Sequence, residues 1–588
     1  MEIAPACQET QSNPIDPILL PVLQRRLRLI CEEMGYSLLR TCRSPILNQA
    51  RDFVTGLFDH RGRMLEQCDY IPVLAFALQP VCAHLVDYFG DDLHEGDVII
   101  HNDVYTGGNQ MADVAIFKPI FVDGEQVAWA ACKGHQADIG GALAGSYNPQ
   151  AREVWQEALR IPPVKLYDAG RLRRDVWDLI FANIRFEIVQ HDITAAIGGC
   201  TVGEREVIKL VRRYGLAAFR AHAEELFAWT ERMMRAEIGR IPDGSYIGES
   251  FMNDDGVTEG SRYRIVVTVT VRGEEITFDY TGTDAQAPAF TNCSYGSAAA
   301  ATLLTFLMHV NPDLPRNAGM LRPIRISIPE GTFLNARYPA ATTFGNQIAD
   351  PHSEAILRAL AQAIPERVTA AWNRLLAPRL TGRDPRTGKV YHDVLFLALK
   401  GGSGATHGVD GYDHIGTIGC AGGILAQDYE MLELQDPLFL LKHEYLPDSA
   451  GAGEWRGGLG VETVVRLEGD ETTIVVHGDG MREGAFGLFG GTAGAPNKLE
   501  VTSPDGGTRR PRCKDLLERL PRGTILHQRQ GGGGGYGDPR RRPAELVLQE
   551  ARNGVISVRQ AREQYGVVID PASWSVDVQA TAALRGAG

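Results

Sequence analysis

Asp113, His135 and Asp138 are the residues whose types and spacing most readily suggest chemistry in this chain. His135 and Asp138 stand three apart in KGHQADIGG, residues 133–141, which follows the alternating stretch QVAWAAC. The longer run DVAIFKPIFVDGEQVAWAAC reads as two strands joined at Asp123-Gly124, a dipeptide suited to a tight hairpin turn. If 115–122 and 126–135 pair antiparallel, their far ends meet, and Asp113 lies beside His135 and Asp138. Two carboxylates and one imidazole with open positions form a reasonable ligand set for a divalent ion such as Zn, Mn or Fe. Such an ion polarises a carbonyl or activates a water. The pairs Gly107-Gly108 and Gly140-Gly141 would let backbone approach it closely. A hydrogen-bonded polar strand end describes the same residues.

Other constellations are less specific. Asp103 ends the apolar stretch VIIHND, and Asp52 opens RDFVTGLFDHRGRML. His407, Asp410, Asp413 and His414 form either a loop ligand set or an exposed polar loop. In Asp350-Pro351-His352-Ser353-Glu354, aspartate and serine read as caps at a helix start. No G-x-S-x-G elbow, Walker A or strand-linked GxGxxG is present, so a nucleotide is not expected through those motifs. The run GGGGGYGDP lacks a GKS/T ending and an apolar strand before it, and reads as a structural turn.

The elements that must position these residues are mixed. Asp16-Pro17 opens a helix whose apolar positions, Leu20 to Leu38, keep helical spacing. The segment 174–240 is helical in pattern, with glycines at 198–199 and 215 read as terminators. RYRIVVTVTV and EEITFDYTGT read as a strand pair, and two helices follow. Beyond about Asp393 the chain is glycine-rich with short strands and ends in two short helices. The expected fold is α+β (mixed α/β) and multidomain, sheet-rich at both ends. Its expected parts are 1–173 with the candidate site, 174–240 helical, 241–390 mixed, and 391–588 glycine-rich β.

Composition narrows the function. A net charge of −14 opposes a nucleic-acid surface, and PRRRP at Arg540–Arg542 reads as a solvated loop. The 10 cysteines form no CxxC pair, as expected of reduced thiols in a cytoplasm. The N-terminus shows no signal pattern, and no apolar run is read as a membrane span.

The stretches RDFVTGLFDHRGRML, EGDVIIHNDVYTGGNQMADVAIFKPIF, KGHQADIGG, EALRIPPVKLYDAG, LPDSAGAGEWRGGLGVE and GGGGGYGDP with SVRQAREQYGVV together carry a resemblance. From Asp16 to Val568 the chain resembles the hydantoinase B/oxoprolinase family, relatives of which include subunits of acetone and acetophenone carboxylases. The resemblance implies a hetero-oligomer with a hydantoinase A-type subunit of actin/Hsp70-like ATPase fold. That partner would bind Mg-ATP and phosphorylate the oxygen of an amide or enolised ketone. This chain would then complete hydrolysis of a cyclic amide at a metal site. Ketone carboxylation and a non-catalytic scaffold role are the alternatives. Asp113, His135 and Asp138 would hold the ion, Asp103 would orient the water or act as base, and Asp52 would support the site. The chain departs from the family pattern at Leu74, Gln110 and Gln136, where histidine is common, and at Val104, where proline is usual. Leucine cannot ligate, and glutamine offers only a weak carbonyl donor.

Overall fold

A computed structural model describes residues 15–586, and Cys7 lies outside them. The first sheet has seven strands: β1 (Phe53–Asp59), β2 (Met64–Asp69), β3 (Val98–His101), β4 (Asp113–Val122), β5 (Glu125–His135), β6 (Val164–Asp168) and β7 (Arg171–Leu172). Their order is β2-β1-β5-β4-β3-β6-β7, and every pair is antiparallel. The hairpin read around Asp123-Gly124 is the centre of this sheet, and its register sets Asp113 opposite His135. Both strands are buried almost throughout.

Helices Leu19–Thr41 and Ile188–Tyr214 cover one face of the sheet. The segment 174–240 is helical as expected, in the pieces Arg174–Phe181, Ile188–Tyr214 and Leu216–Ile238. The glycines at 198–199, expected to end a helix, instead lie within the 27-residue helix Ile188–Tyr214. The reason is packing. A Cβ on Gly199 would stand 2.9 Å from Cys132 Sγ and 3.2 Å from the Met34 carbonyl oxygen. The close approach of three layers selects glycine there against its poor helix propensity.

The strands Gly244–Asn253, Arg262–Arg272, Glu275–Asp279 and Ile324–Ser327 form a second sheet, with helix Ala349–Ala363 packed on it. One hydrophobic core runs from Leu23 to Ile424, so the parts expected at 1–173, 174–240 and 241–390 share it. Two further sheets enclose a separate core from Leu376 to Leu526. The stretch Pro72–Phe89 is apolar and long enough by composition to cross a membrane, contrary to the sequence reading. It is half buried, and it divides into the helices Pro72–Ala75 and Leu78–Phe89.

The strand before the glycine run, Ile525–Arg529, carries His, Gln and Arg and is not the apolar strand of a phosphate loop. The run makes backbone contacts on all sides: Gly533 N–H donates to the Gly458 carbonyl, Gly534 N–H to Ala371, and Gly535 N–H to Thr492. A Cβ on Gly533 would fall 1.8 Å from the Ser403 carbonyl oxygen. The run is therefore a packed connector that bonds Ala371, just before the strand Leu376–Arg383.

The two adjacent glycines offer a direct test. Gly198 is exposed with open space at its Cβ position, whereas Gly199 is buried against Cys132. Gly198→Ala is expected to stabilise by about 0.5–1 kcal/mol through helix propensity, and Gly199→Ala to destabilise by about 1–3 kcal/mol through overpacking. Denaturant unfolding of both variants reads this out, and equal effects would refute the packing account.

Candidate functional site

The β4–β5 register brings the Asp113 carboxylate and the His135 ring into one buried pair, Nδ1 to Oδ1 at 2.7 Å. Asp113 is 1% and His135 2% exposed. Gln110 Nε2 lies 3.0 Å from both Asp113 Oδ1 and His135 Nδ1. Asp113 Oδ2 accepts from Asn109 at 2.5 Å and Asn346 at 2.7 Å. Burial would raise the Asp113 carboxyl, but the His135 hydrogen bond and nearby positive charge outweigh it and hold the group below its ordinary value.

His135 Nε2 faces a cavity and lies 3.3 Å from Arg379 Nη2. A guanidinium can only donate, so Nε2 accepts and Nδ1 carries the proton toward Asp113. Arg379 comes from the strand Leu376–Arg383. Leu376 and Leu380 on that strand belong to the C-terminal core, while the alternate positions Ala377 and Arg379 line the cavity. Antiparallel pairing with Asp470–Gly478 brings His477 onto the same face, where its Nε2 accepts from Arg379 Nε at 3.0 Å. The Tyr147 ring lies 3.6 Å from the guanidinium carbon, and its hydroxyl donates to Gln110 Oε1 at 3.0 Å. His392, paired with Thr381 across the strands, lies half-buried nearby. Burial, with the Arg379 charge adding to it, pushes His477 well below its usual value; burial and then Arg379 bring His392 down to about 3.

Asp52 also lines the cavity, and its backbone carbonyl accepts from His135 N–H at 3.0 Å. Burial raises its carboxyl to about 6, with the Asp113 charge adding to it and the Arg379 charge opposing it. The remaining wall is largely apolar: Ile71, Val73, Leu74, Phe396, Leu399 and Ile424. Asp350 reaches the cavity from inside helix Ala349–Ala363. Rather than capping that helix, it accepts from Leu375 N–H at 2.7 Å.

Other sequence candidates lie elsewhere. Asp138 does not join Asp113 and His135. Its carboxylate accepts from Gly140 N–H, Gly145 N–H, and the Arg185 backbone and guanidinium, which organises the 138–146 loop. Asp103 accepts from Tyr105 N–H and pairs with Arg160 at 2.8 Å, and it is not among the cavity residues. Asp410 and Asp413 are taken up by Arg542 and Arg456, while His414 meets His443. His94, Asp97 and Asp168 lie close together, but Lys165 Nζ already sits 3.0 Å from Asp97 and 3.3 Å from Asp168.

The donors around His135 do not fit the expected divalent ion. Both Asp113 oxygens and both ends of Gln110 are engaged, Leu74 offers no ligand, and Asp138 is used elsewhere. Gln136 turns its Nε2 back to the Gly134 carbonyl. Asp350 also lines the cavity, but its carboxylate is taken by the Leu375 N–H, so among the described residues His135 Nε2 and Asp52 remain as ligand atoms beside the guanidinium, fewer than the three protein ligands a catalytic zinc takes. The sequence reading missed Arg379 because Pro378 argues against a central strand. His477 sat in view at the end of TTIVVHGD, on the alternation of a recognised strand.

A family model described as hydantoinase B/oxoprolinase matches residues 16–539. The chain is 38% identical over 591 residues to the caprolactamase subunit beta of Pseudomonas jessenii, covering 98% of this chain and 100% of that one. A crystal structure of the ATP-dependent caprolactamase from Pseudomonas jessenii is similar with a TM-score of 0.91 at 36% identity, over 98% of this chain and 100% of that one. A nucleotide-free structure of acetone carboxylase gives a TM-score of 0.91 at 21% identity, over 97% of this chain and 83% of that one, a likeness of fold.

Asp52 generates a pH prediction. Its folded-state pKa of about 6 exceeds its ordinary 3.8, so the folded chain holds this proton more tightly than the unfolded one. The stability it contributes is full below the ordinary value and is lost as pH rises through 6. Asp52→Asn, which never ionises, should therefore melt a few degrees above wild type at pH 8, with the gain fading toward pH 4. A difference independent of pH would show that Asp52 is not the titrating group.

Proposed function

The chain belongs to the hydantoinase B/oxoprolinase family, and on that premise we propose that it completes the ATP-dependent opening of an aliphatic cyclic amide beside a hydantoinase A-type ATPase subunit. The observation that carries this reading is the cavity itself. A carboxyl with a raised pKa and an oriented imidazole face a wall of aliphatic and aromatic side chains. The aliphatic part of this wall can cover a ring of methylenes, with Gln347, Asp350, Arg379 and Thr417 lining the same cavity beside it. The similarity to a caprolactamase subunit supports the same substrate class.

In this reading the partner, with Mg-ATP, transfers a phosphoryl group to the amide oxygen, which makes the carbonyl carbon electrophilic. Cyclic amide, ATP and water then become a linear amino acid, ADP and phosphate. The chain must supply a base for water, an acid for the departing ring nitrogen, and positive charge for the oxygen. Asp52, ionised above pH 6, is the base. His135, held in one tautomer by Asp113, orients the water and relays its proton. The apolar wall excludes bulk water and strengthens the electrostatics within.

The test uses the chain co-purified with its ATPase partner and ε-caprolactam as probe. Ring opening should track ADP release and need no bicarbonate. Asp52→Asn should lower kcat by about a hundredfold or more, and activity should fall below pH 6. Turnover of ketones only in the presence of bicarbonate would replace this reading with a carboxylase. Full activity of both Asp52→Asn and His135→Ala would leave the chain a scaffold.

A further inference from the structure

We propose that Arg379 is the cation of this cavity, a guanidinium that holds an oxyanion where the family resemblance led to the expectation of a divalent metal ion. Arg379 is 5% exposed and forms no ion pair among the described residues, and its Nη1 is buried without a hydrogen-bond partner. A charge buried in this state is costly unless something completes it. The rest of the group is fixed. Nε is bound by His477 at 3.0 Å, Nη2 lies 3.3 Å from His135, and the guanidinium plane rests on Tyr147 at 3.6 Å. Nη1 is the donor left over for a ligand in the cavity that Arg379 lines.

The neighbours agree with an anion. His477, buried, and His392, half-buried, are kept neutral by desolvation and by the Arg379 charge, so they do not repel the guanidinium. Asp113, the nearby carboxylate of lowered pKa, is already occupied by His135, Gln110, Asn109 and Asn346. The carboxyls that line the cavity, Asp52 and Asp350, are both held at raised pKa values by burial, and neither forms an ion pair with Arg379. His135 Nε2, the atom a metal would need, faces the guanidinium instead. A planar fork of N–H donors recognises carboxylate and phosphate oxygens well.

This inference rests on the proposed ring-opening function, which supplies two oxyanions of the same chemistry. One is the phosphoryl group placed on the amide oxygen, and the other is the carboxylate of the opened ring.

Two measurements on the chain–ATPase complex test it. Elemental analysis should find less than about a tenth of an equivalent of Zn, Mn or Fe per chain, where a metal centre would hold about one. Calorimetric titration with inorganic phosphate and, separately, with 6-aminohexanoate shows which oxyanion binds. Arg379→Gln should weaken that binding by about tenfold or more, and Arg379→Lys should restore part of it because the charge remains without the fork. If Arg379→Gln does not fold, the Lys variant and the metal content decide. About one equivalent of metal that is lost in His135→Ala would overturn the proposal. So would binding of neither anion by wild type, or unchanged binding in Arg379→Gln. Ring opening is read separately, so its failure would end the functional reading while metal content and anion binding still judged Arg379.

Discussion

A single cross-strand hydrogen bond, from His135 Nδ1 to Asp113 Oδ1, is the interaction on which the cavity depends. It exists because the hairpin pairs Asp113 through Ile120 with His135 through Ala128 in one register, on the far side of an irregularity at Ile120/Phe121 from the Asp123-Gly124 turn. A slip of one residue would turn His135 to the opposite face, toward the helices that pack near Cys132 and Gly199. The buried amides of Gln110, Asn109 and Asn346 then close around the carboxylate and leave it no freedom. The imidazole thus has one tautomer and one orientation before any ligand arrives.

The other half of the cavity is built by a different device. Glycine connectors pack backbone on backbone and hold residues 371–373, which feed the strand carrying Arg379. That strand spends one face on the C-terminal core and offers the other to the cavity. Nearby, Arg374 lies between Glu354 and Asp479, which ties helix Ala349–Ala363 to the same region. Arg374 and Arg379 are five residues apart and both buried, yet only Arg374 has carboxylates. The contrast separates an arginine that joins elements from one that awaits a partner.

Much of the hairpin half was legible. Alternation, the Asp-Gly turn and the polar strand ends locate β4, β5, Asp113 and His135, and even predict that the two side chains meet. Spacing alone places Asp138 in the same set, but the glycines after it turn the chain back, and the Gly140 and Gly145 N–H groups claim its carboxylate. Asp103 reads as a water-orienting residue or base, or else as a turn cap; it caps the turn Val104–Thr106, and nothing near it in sequence reveals its partner Arg160. The glycines at 198–199 were read as helix ends because local propensity does not record that another strand lies against them.

The sequence by itself determined the mixed α/β class, the central hairpin, the helical stretch and the family. These rest on period, turn chemistry and motif, which are local properties of the chain. Only the tertiary structure decided which charged group meets His135. Arg379 lies 244 residues further along, on a strand interrupted by proline, and its approach is set by the packing of two cores that no local pattern encodes.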